Sequence, residues 1–265
     1  MTAFAIERMV VDPDGMPIPA AKVLLISREG NHANPPVFYT DANGAFTCTL
    51  DQLKGFTRLL VVANHYRYSL LSTDPEAEHP TITLWPERKI TGKVVDEDGT
   101  PIAGARVRVT HFSGRDAHYK ETVWFAFRDK WGWDNNAVSG EDGFFTLLHV
   151  PDQNDFARAS LSLRATAPGR IQREKVYGKP DIPDELAFIL PRECTLTGTL
   201  YLPGKSGPAP KGVEITATSS YAELEMTKTA STDKDGRFEF RNMPPGKLRL
   251  AVAPQPPGAC PSHSG

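Results

Sequence analysis

Helical periodicity is almost absent from these 265 residues, and no single motif declares a function. No apolar run approaches the roughly 18 residues of a membrane span, so membrane insertion is not expected. Met1-Thr2-Ala3-Phe4 runs straight into a strand pattern, with neither the basic nor the apolar stretch of an export leader. Lys and Arg number 30 against 32 Asp and Glu, a net charge of −2. That balance lacks the basic excess of a nucleic-acid binder, and there is no polyacidic tail. The three cysteines, Cys48, Cys194 and Cys260, are odd in number and have no metal-ligand spacing. Cys48 alternates in phase with Phe46 and Leu50 and reads as a small buried hydrophobe. What remains is an ordinary globular composition, 40% hydrophobic, long enough for two or three small cores.

What is present is a repeat. In residues 90–109, Ile90, Gly92 and Val94 alternate with Thr91 and Lys93, and Val107 and Val109 alternate with Arg106 and Arg108. Each arm therefore has the two-residue period of a half-buried strand. Between them Asp96-Glu97-Asp98-Gly99-Thr100-Pro101 predicts a turn in which the Asp side chains bond local backbone N–H groups. Gly99 supplies a positive φ there, and a Cβ at such a position costs about 1–2 kcal/mol. The pattern also opens the chain, through Asp12-Pro13-Asp14-Gly15 into Val23-Leu24-Leu25. It returns, degraded, as Leu196-Thr197-Gly198-Thr199-Leu200 leading through Pro203, Gly204 and Gly212 to Val213. Such self-similarity decides architecture before any local motif does.

A second signature follows each first one: Asp41 to Phe46, Gly140 to Phe145, and Asp233 to Phe238, each a turn feeding an alternating strand. Many short strands between Gly, Pro and Asp turns predict an all-β protein of tandem seven-stranded antiparallel, Greek-key β-sandwiches. The expected domains are residues 1–85, 86–191, 192–253 (incomplete, without a closing strand) and a disordered Pro-rich tail, 254–265. The connectors, Trp85-Pro86-Glu87 and Pro191-Arg192-Glu193, are short, so neighbouring units should be held close.

The order strand, Asp-x-Asp-Gly-x-Pro-Ile-x-Gly-Ala, Val-x-Val, Asp-x-Asp-Gly-x-Phe, then Pro-x-Gly and an apolar strand, resembles the carboxypeptidase regulatory-like domain. That family has a transthyretin-like, prealbumin-type sandwich. The resemblance spans residues 5–253 as three tandem copies, strong in the second and partial in the third. It implies a non-catalytic accessory region, a spacer or adhesion module, of a secreted or envelope-associated bacterial protein. An accessory fragment of a larger secreted peptidase is an alternative. No cofactor is expected, no nucleic acid, and no obligate oligomer. The partner would be a glycan or a protein.

Catalytic and metal readings are weak. His118-Tyr119-Lys120-Glu121 fits His-x-x-Glu, but a chain of this organisation has nowhere to place a peptidase domain, and the third ligand would have to be His149 or His263. The ending Pro261-Ser262-His263-Ser264-Gly265 lacks the Tyr-Arg-Gly-Ser terminus of transthyretin-related hydrolases. The Asp-x-Asp-Gly turns fail as calcium loops: aligned to an EF-hand, Ser231 and Asn242 fall where an acid and a bidentate Glu belong. Lys93, out of phase with the inward residues, should face solvent and not form an isopeptide bond.

One segment breaks the repeat. Residues 111–138 insert Tyr119, Trp124, Phe125, Phe127, Trp131 and Trp133 among charged residues, holding three of the four tryptophans. Exposed rigid aromatics suit a sugar- or protein-binding surface, which makes Tyr119, Trp124, Phe127, Trp131 and Trp133 the candidate ligand-binding residues. Alternatively the segment extends a strand and covers a sandwich edge. Trp85 reads as packing between units.

Overall fold

A computed structural model describes residues 5–27, 35–72, 81–116, 122–126, 136–150, 156–179, 183–204, 207–221 and 224–252. The protein is all-β, with one short helix among the described residues. A first strand set comprises β1 (Ala5–Val11), β2 (Lys22–Ile26), β3 (Val37–Tyr39), β4 (Ala45–Thr49), β5 (Arg58–Val62), β6 (Ser69–Ser72) and β7 (Thr81–Thr83), with α1 (Leu50–Leu53) after β4. A second comprises β8 (Arg88–Val95), β9 (Arg106–Asp116), β10 (Thr122–Ala126), β11 (Asn136–Val138), β12 (Phe144–Val150), β13 (Phe156–Thr166), β14 (Arg173–Gly178) and β15 (Glu185–Ile189). The third has β16 (Cys194–Thr199), β17 (Glu214–Tyr221), β18 (Leu224–Ser231), β19 (Arg237–Met243) and β20 (Lys247–Val252).

Each set splits into two sheets. The orders are β4-β1-β7 with β3-β2-β5-β6, then β12-β8-β15 with β10-β9-β13-β14, and β16-β19 with β18-β17-β20; β11 pairs with the other half of β9. In the first set Val10, Phe46 and Ile82 from one sheet and Val23, Leu25, Leu59 and Val61 from the other form a single buried core, as two packed sheets require. Not all pairing is antiparallel: β7 runs parallel to β1, Val10 opposite Ile82. β7 reaches its sheet from β6 in the other sheet, so no hairpin dictates its direction. The helical turn α1 was invisible to period counting; it is set by a capping box in which Thr49 and Gln52 satisfy each other's backbone N–H groups.

The residues divide into two compact units: one is residues 1–95, 101–165 and 173–188, the other 96–100, 166–172 and 189–265. The predicted turns are capped as expected, Asp12, Asp41, Asp96 and Asp233 each accepting through Oδ1 from the N–H groups two and four residues on. Cys48 is buried, and burial pushes its thiol up against the opposing pull of Arg8. Lys93 lies on the outer face, its Nζ 5.2 Å from the Phe144 ring centroid.

A hydrogen-bond motif recurs three times that composition did not announce. The Thr40 hydroxyl donates to Ile18 O at 2.7 Å and accepts from Ala21 N–H at 2.8 Å. Ser139 does the same with Ile102 O and Ala105 N–H, and Thr232 with Pro210 O and Val213 N–H. Each hydroxyl, on the residue just before the second turn, ties that residue to the start of one strand, satisfying backbone groups that would otherwise carry a desolvation cost. Beside it stands a glycine in each copy; at Gly143, φ is +78° and a Cβ would lie 2.5 Å from Val94 O.

Candidate functional site

A polar arrangement in the first unit joins the loop between β5 and β6 to strands of the second set. His65 takes φ +70°, which turns the chain so that the connector lies along it. Arg67 N–H donates to Trp85 O at 2.8 Å, Glu87 N–H to His65 O at 3.1 Å, and Tyr66 bridges to Pro86. The Arg67 side chain is 1% exposed, its Nη2 3.1 Å from Oδ2 of Asp116 at the end of β9. Its Cζ sits 4.8 Å from the centroid of Phe156, which meets Phe112 edge-on at 4.8 Å, while Tyr68 meets Phe112 edge-on at 6.2 Å. Gly114 makes room, since a Cβ there would be 3.1 Å from Phe156. Burial pushes the Tyr68 phenol well above its ordinary range, with Arg67 opposing.

A second contact flanks it. A bulge in β12 gives His149 φ +59° and breaks the register between Leu147 and Val150. His149 N–H donates to Glu87 Oε2 at 2.7 Å, and His149 Nδ1 lies 2.9 Å from Tyr66 O. A carbonyl only accepts, so Nδ1 carries the proton. These groups are arranged to hold, with a buried charge facing its counter-charge and aromatic faces closing around it.

The second unit repeats the main-chain part. Ile171 N–H donates to Pro191 O, Glu193 N–H to Gly169 O, and Arg170 bridges to Arg192. The side chains differ: Arg170 meets Glu97 at 3.2 Å and Asp96 at 3.5 Å, and is partly exposed.

Of the predicted ligand-binding residues, Tyr119, Phe127, Trp131 and Trp133 lie outside the described residues, as does His118. Trp124 falls in β10, its backbone opposite Ser113 of β9. Residues 111–116 form the second half of the 11-residue β9, extended by pairing with β10. Arg67, Asp116 and Phe156 were missed. Arg67 sits in a Tyr-Arg-Tyr run that reads as loop, and its partner is 49 residues away. The recurring hydroxyl was within reach, because Thr40, Ser139 and Thr232 each immediately precede the second turn.

Among the described residues, the titratable groups that line one surface cavity are already engaged. That cavity, of about 670 Å³, is lined by Thr197, Gly198, Phe238, Asp233, Arg237 and Glu239 among others. Asp233 is capping its own turn there, and Glu239 is paired with Arg241 at 2.9 Å. Among the described residues no three His, Cys, Asp or Glu side chains cluster as metal ligands. No described helix is long and apolar enough to cross a membrane.

By fold the chain is a β-sandwich protein. No family model matches it, and no curated protein matches it. Solved structures that it resembles include a streptococcal ancillary pilin, at 9% identity over 96% of this chain and 92% of that one with a TM-score of 0.31. The shaft pilin SpaA of Lactobacillus rhamnosus GG gives 12% identity over 72% of this chain and 98% of that one, TM-score 0.30. The major pilin subunit BcpA of Bacillus cereus gives 13% over 94% and 87%, TM-score 0.21. Likeness at this level carries no inference about what this chain does.

Proposed function

We propose that the chain is a non-catalytic structural repeat region, three tandem carboxypeptidase regulatory-like sandwiches serving as a spacer or adhesion segment of an extracytoplasmic protein. The observation that supports this is the Arg67–Asp116 joint. A spacer transmits position only if its modules do not hinge, and the first and second strand sets share a desolvated ion pair, an aromatic cluster and main-chain bonds to the connector. Calorimetry of the whole chain tests this. The reading expects both sandwiches of the first unit to melt in one transition, with the second unit separate; independent melting of the first two sandwiches would refute it.

The adhesion surface proposed is the aromatic segment carrying Tyr119, Trp124, Phe127, Trp131 and Trp133. Tryptophan fluorescence of the whole chain, with acrylamide quenching and a panel of soluble polysaccharides, tests it. Quenchable emission that a glycan shifts and protects supports carbohydrate binding; emission indifferent to every glycan removes the glycan reading and leaves the spacer.

A further inference from the structure

The two connectors can be compared position by position. Glu87 N–H meets His65 O and Arg67 N–H meets Trp85 O, as Glu193 N–H meets Gly169 O and Ile171 N–H meets Pro191 O. His65 and Gly169 both take a positive φ, +70° and +67°. On the sandwich that follows, β12 is bulged between Leu147 and Val150 with His149 at φ +59°, and β19 is bulged between Phe240 and Met243 with Asn242 at φ +55°. Glu193 therefore stands in the place of Glu87, Arg170 in that of Tyr66, and Asn242 in that of His149.

What differs is the filling. At the first connector the His149 ring lies between two acceptors, its Nδ1 2.9 Å from Tyr66 O and 3.2 Å from Glu87 Oε2, and Arg67, Tyr68 and Phe112 are buried. The corresponding residues at the second are Ile171, Gln172 and Ser219, Ser219 being the next buried position of β17 after Ala217 as Phe112 is of β9 after Val109. The smaller set leaves a cavity of about 410 Å³, lined by Arg170, Gln172, Glu193, Met226, Lys228 and Asn242 among others, all of the second unit. That volume suits a small molecule. The acceptors persist without their donor: among the described residues nothing donates to Arg170 O or to the Glu193 carboxylate, and the Asn242 side chain has no hydrogen-bond partner. Lys228 Nζ bonds a neutral group, Arg241 O at 2.6 Å, with no described carboxylate in ion-pair reach. The Ser219 hydroxyl, fully buried in register with Met226, also lacks a partner. The Arg170 guanidinium, by contrast, is taken by Glu97 and Asp96. The cavity therefore presents one unpaired anion and one unpaired cation.

We propose that this cavity binds a free α-amino acid, whose cationic N–H group takes the place that the His149 imidazole holds at the first connector, between Arg170 O and the Glu193 carboxylate, and whose carboxylate meets Lys228. Charge-assisted bonds of this kind are the strong ones in a partly enclosed site. A simple cation would be left facing Lys228 and a simple anion facing Glu193, so the zwitterion is the species selected. Met226 supplies an adaptable apolar wall. The described chain leaves β20 at Val252, opposite Ile215 and at the far end of β17 from Ser219, so the end of β20 forms no wall of the cavity. The inference concerns the second unit by itself and does not depend on the spacer reading.

The test titrates the isotope-labelled full chain with L-histidine, whose ammonium and imidazole both offer the donor, and with imidazole and acetate as single-function controls, following amide shifts by NMR. L-Histidine is expected to shift Gln172, Glu193 and Asn242 saturably, with an affinity at least tenfold above either control. Glu193→Gln and Lys228→Met should each weaken it at least tenfold. Asn242→His suits the backbone, since His149 adopts nearly the same φ, and places the chain's own imidazole between the two acceptors, so it should abolish binding. The absence of a saturable shift with L-histidine overturns the proposal. So does acetate or imidazole binding as tightly as L-histidine, or binding that survives undiminished in Asn242→His or Glu193→Gln, since either variant would then place the ligand elsewhere.

Discussion

Asp116→Ala is the sharpest perturbation of the joint. Arg67 and Asp116 are 1% and 3% exposed, so the substitution leaves a guanidinium in a dry site without its carboxylate. Removing one member of a buried pair costs about 3–5 kcal/mol, and Arg67→Met, which takes the guanidinium away from the buried carboxylate, should cost a similar amount. Replacing both, as Arg67→Met with Asp116→Leu, removes the desolvation cost along with the attraction. The double variant should therefore be more stable than either single one, and equal to wild type or about 1–4 kcal/mol more stable. Urea unfolding followed by fluorescence and far-UV dichroism, reading the transition of the first unit, gives all four corners of the cycle. Single variants within about 0.5 kcal/mol of wild type, the range of an ordinary surface change, would refute the claim that this pair is buried and holds the joint.

Other consequences are independent of the joint. Ser139→Ala should cost about 1–3 kcal/mol, because Ala105 N–H and Ile102 O lose their buried partner, while Ser139→Thr should be tolerated as Thr is at 40 and 232; chemical denaturation of the two variants distinguishes these. Gly143→Ala should destabilise more than Gly99→Ala. Both glycines have φ near +80°, costing about 1–2 kcal/mol for a Cβ, but only at Gly143 does the Cβ also meet Val94 O and Pro101, so equal losses would contradict the geometry. Stability should fall in acid. Asp233 is held below the usual carboxylate range first by the Arg237 N–H, with burial opposing and the Asp235 N–H assisting. Burial would raise Asp96, but the N–H groups of Thr100 and Asp98 outweigh it. A carboxylate whose folded pKa is depressed contributes stability above its unfolded pKa near 4 and loses it as pH falls through the folded one. Melting temperature against pH should therefore drop below about pH 4. Asp233→Asn should flatten that drop, and an unchanged profile would count against the turn bonds.

Legibility tracked distance along the chain. Turns, alternation and the buried Cys48 depend on residues within a few positions, and Asp41, Asp96 and Asp233 cap the turns their spacing predicted. The strands β6 and β14 were overlooked because Ser69-Leu70-Leu71-Ser72 is too short to alternate visibly and β14 lies among charged residues. The parallel course of β7 and the Arg67–Asp116 pair were not readable at all, being set by which sheet a strand returns to and by an approach across 49 residues. Of the candidate surface, the aromatic spacing marked residues 111–138 as a departure from the repeat, and β9 and β10 show that part of that departure is a lengthened strand pair.

The central claim is that the first two sandwiches do not hinge. It is tested most directly by spin labels at exposed turn positions in each, Asp14→Cys and Glu141→Cys, with Cys194 and Cys260 replaced by Ser, and the distance distribution measured by pulsed dipolar spectroscopy. A single narrow distribution that broadens on Arg67→Met is the predicted result. A broad distribution in the protein with Arg67 intact would contradict the account.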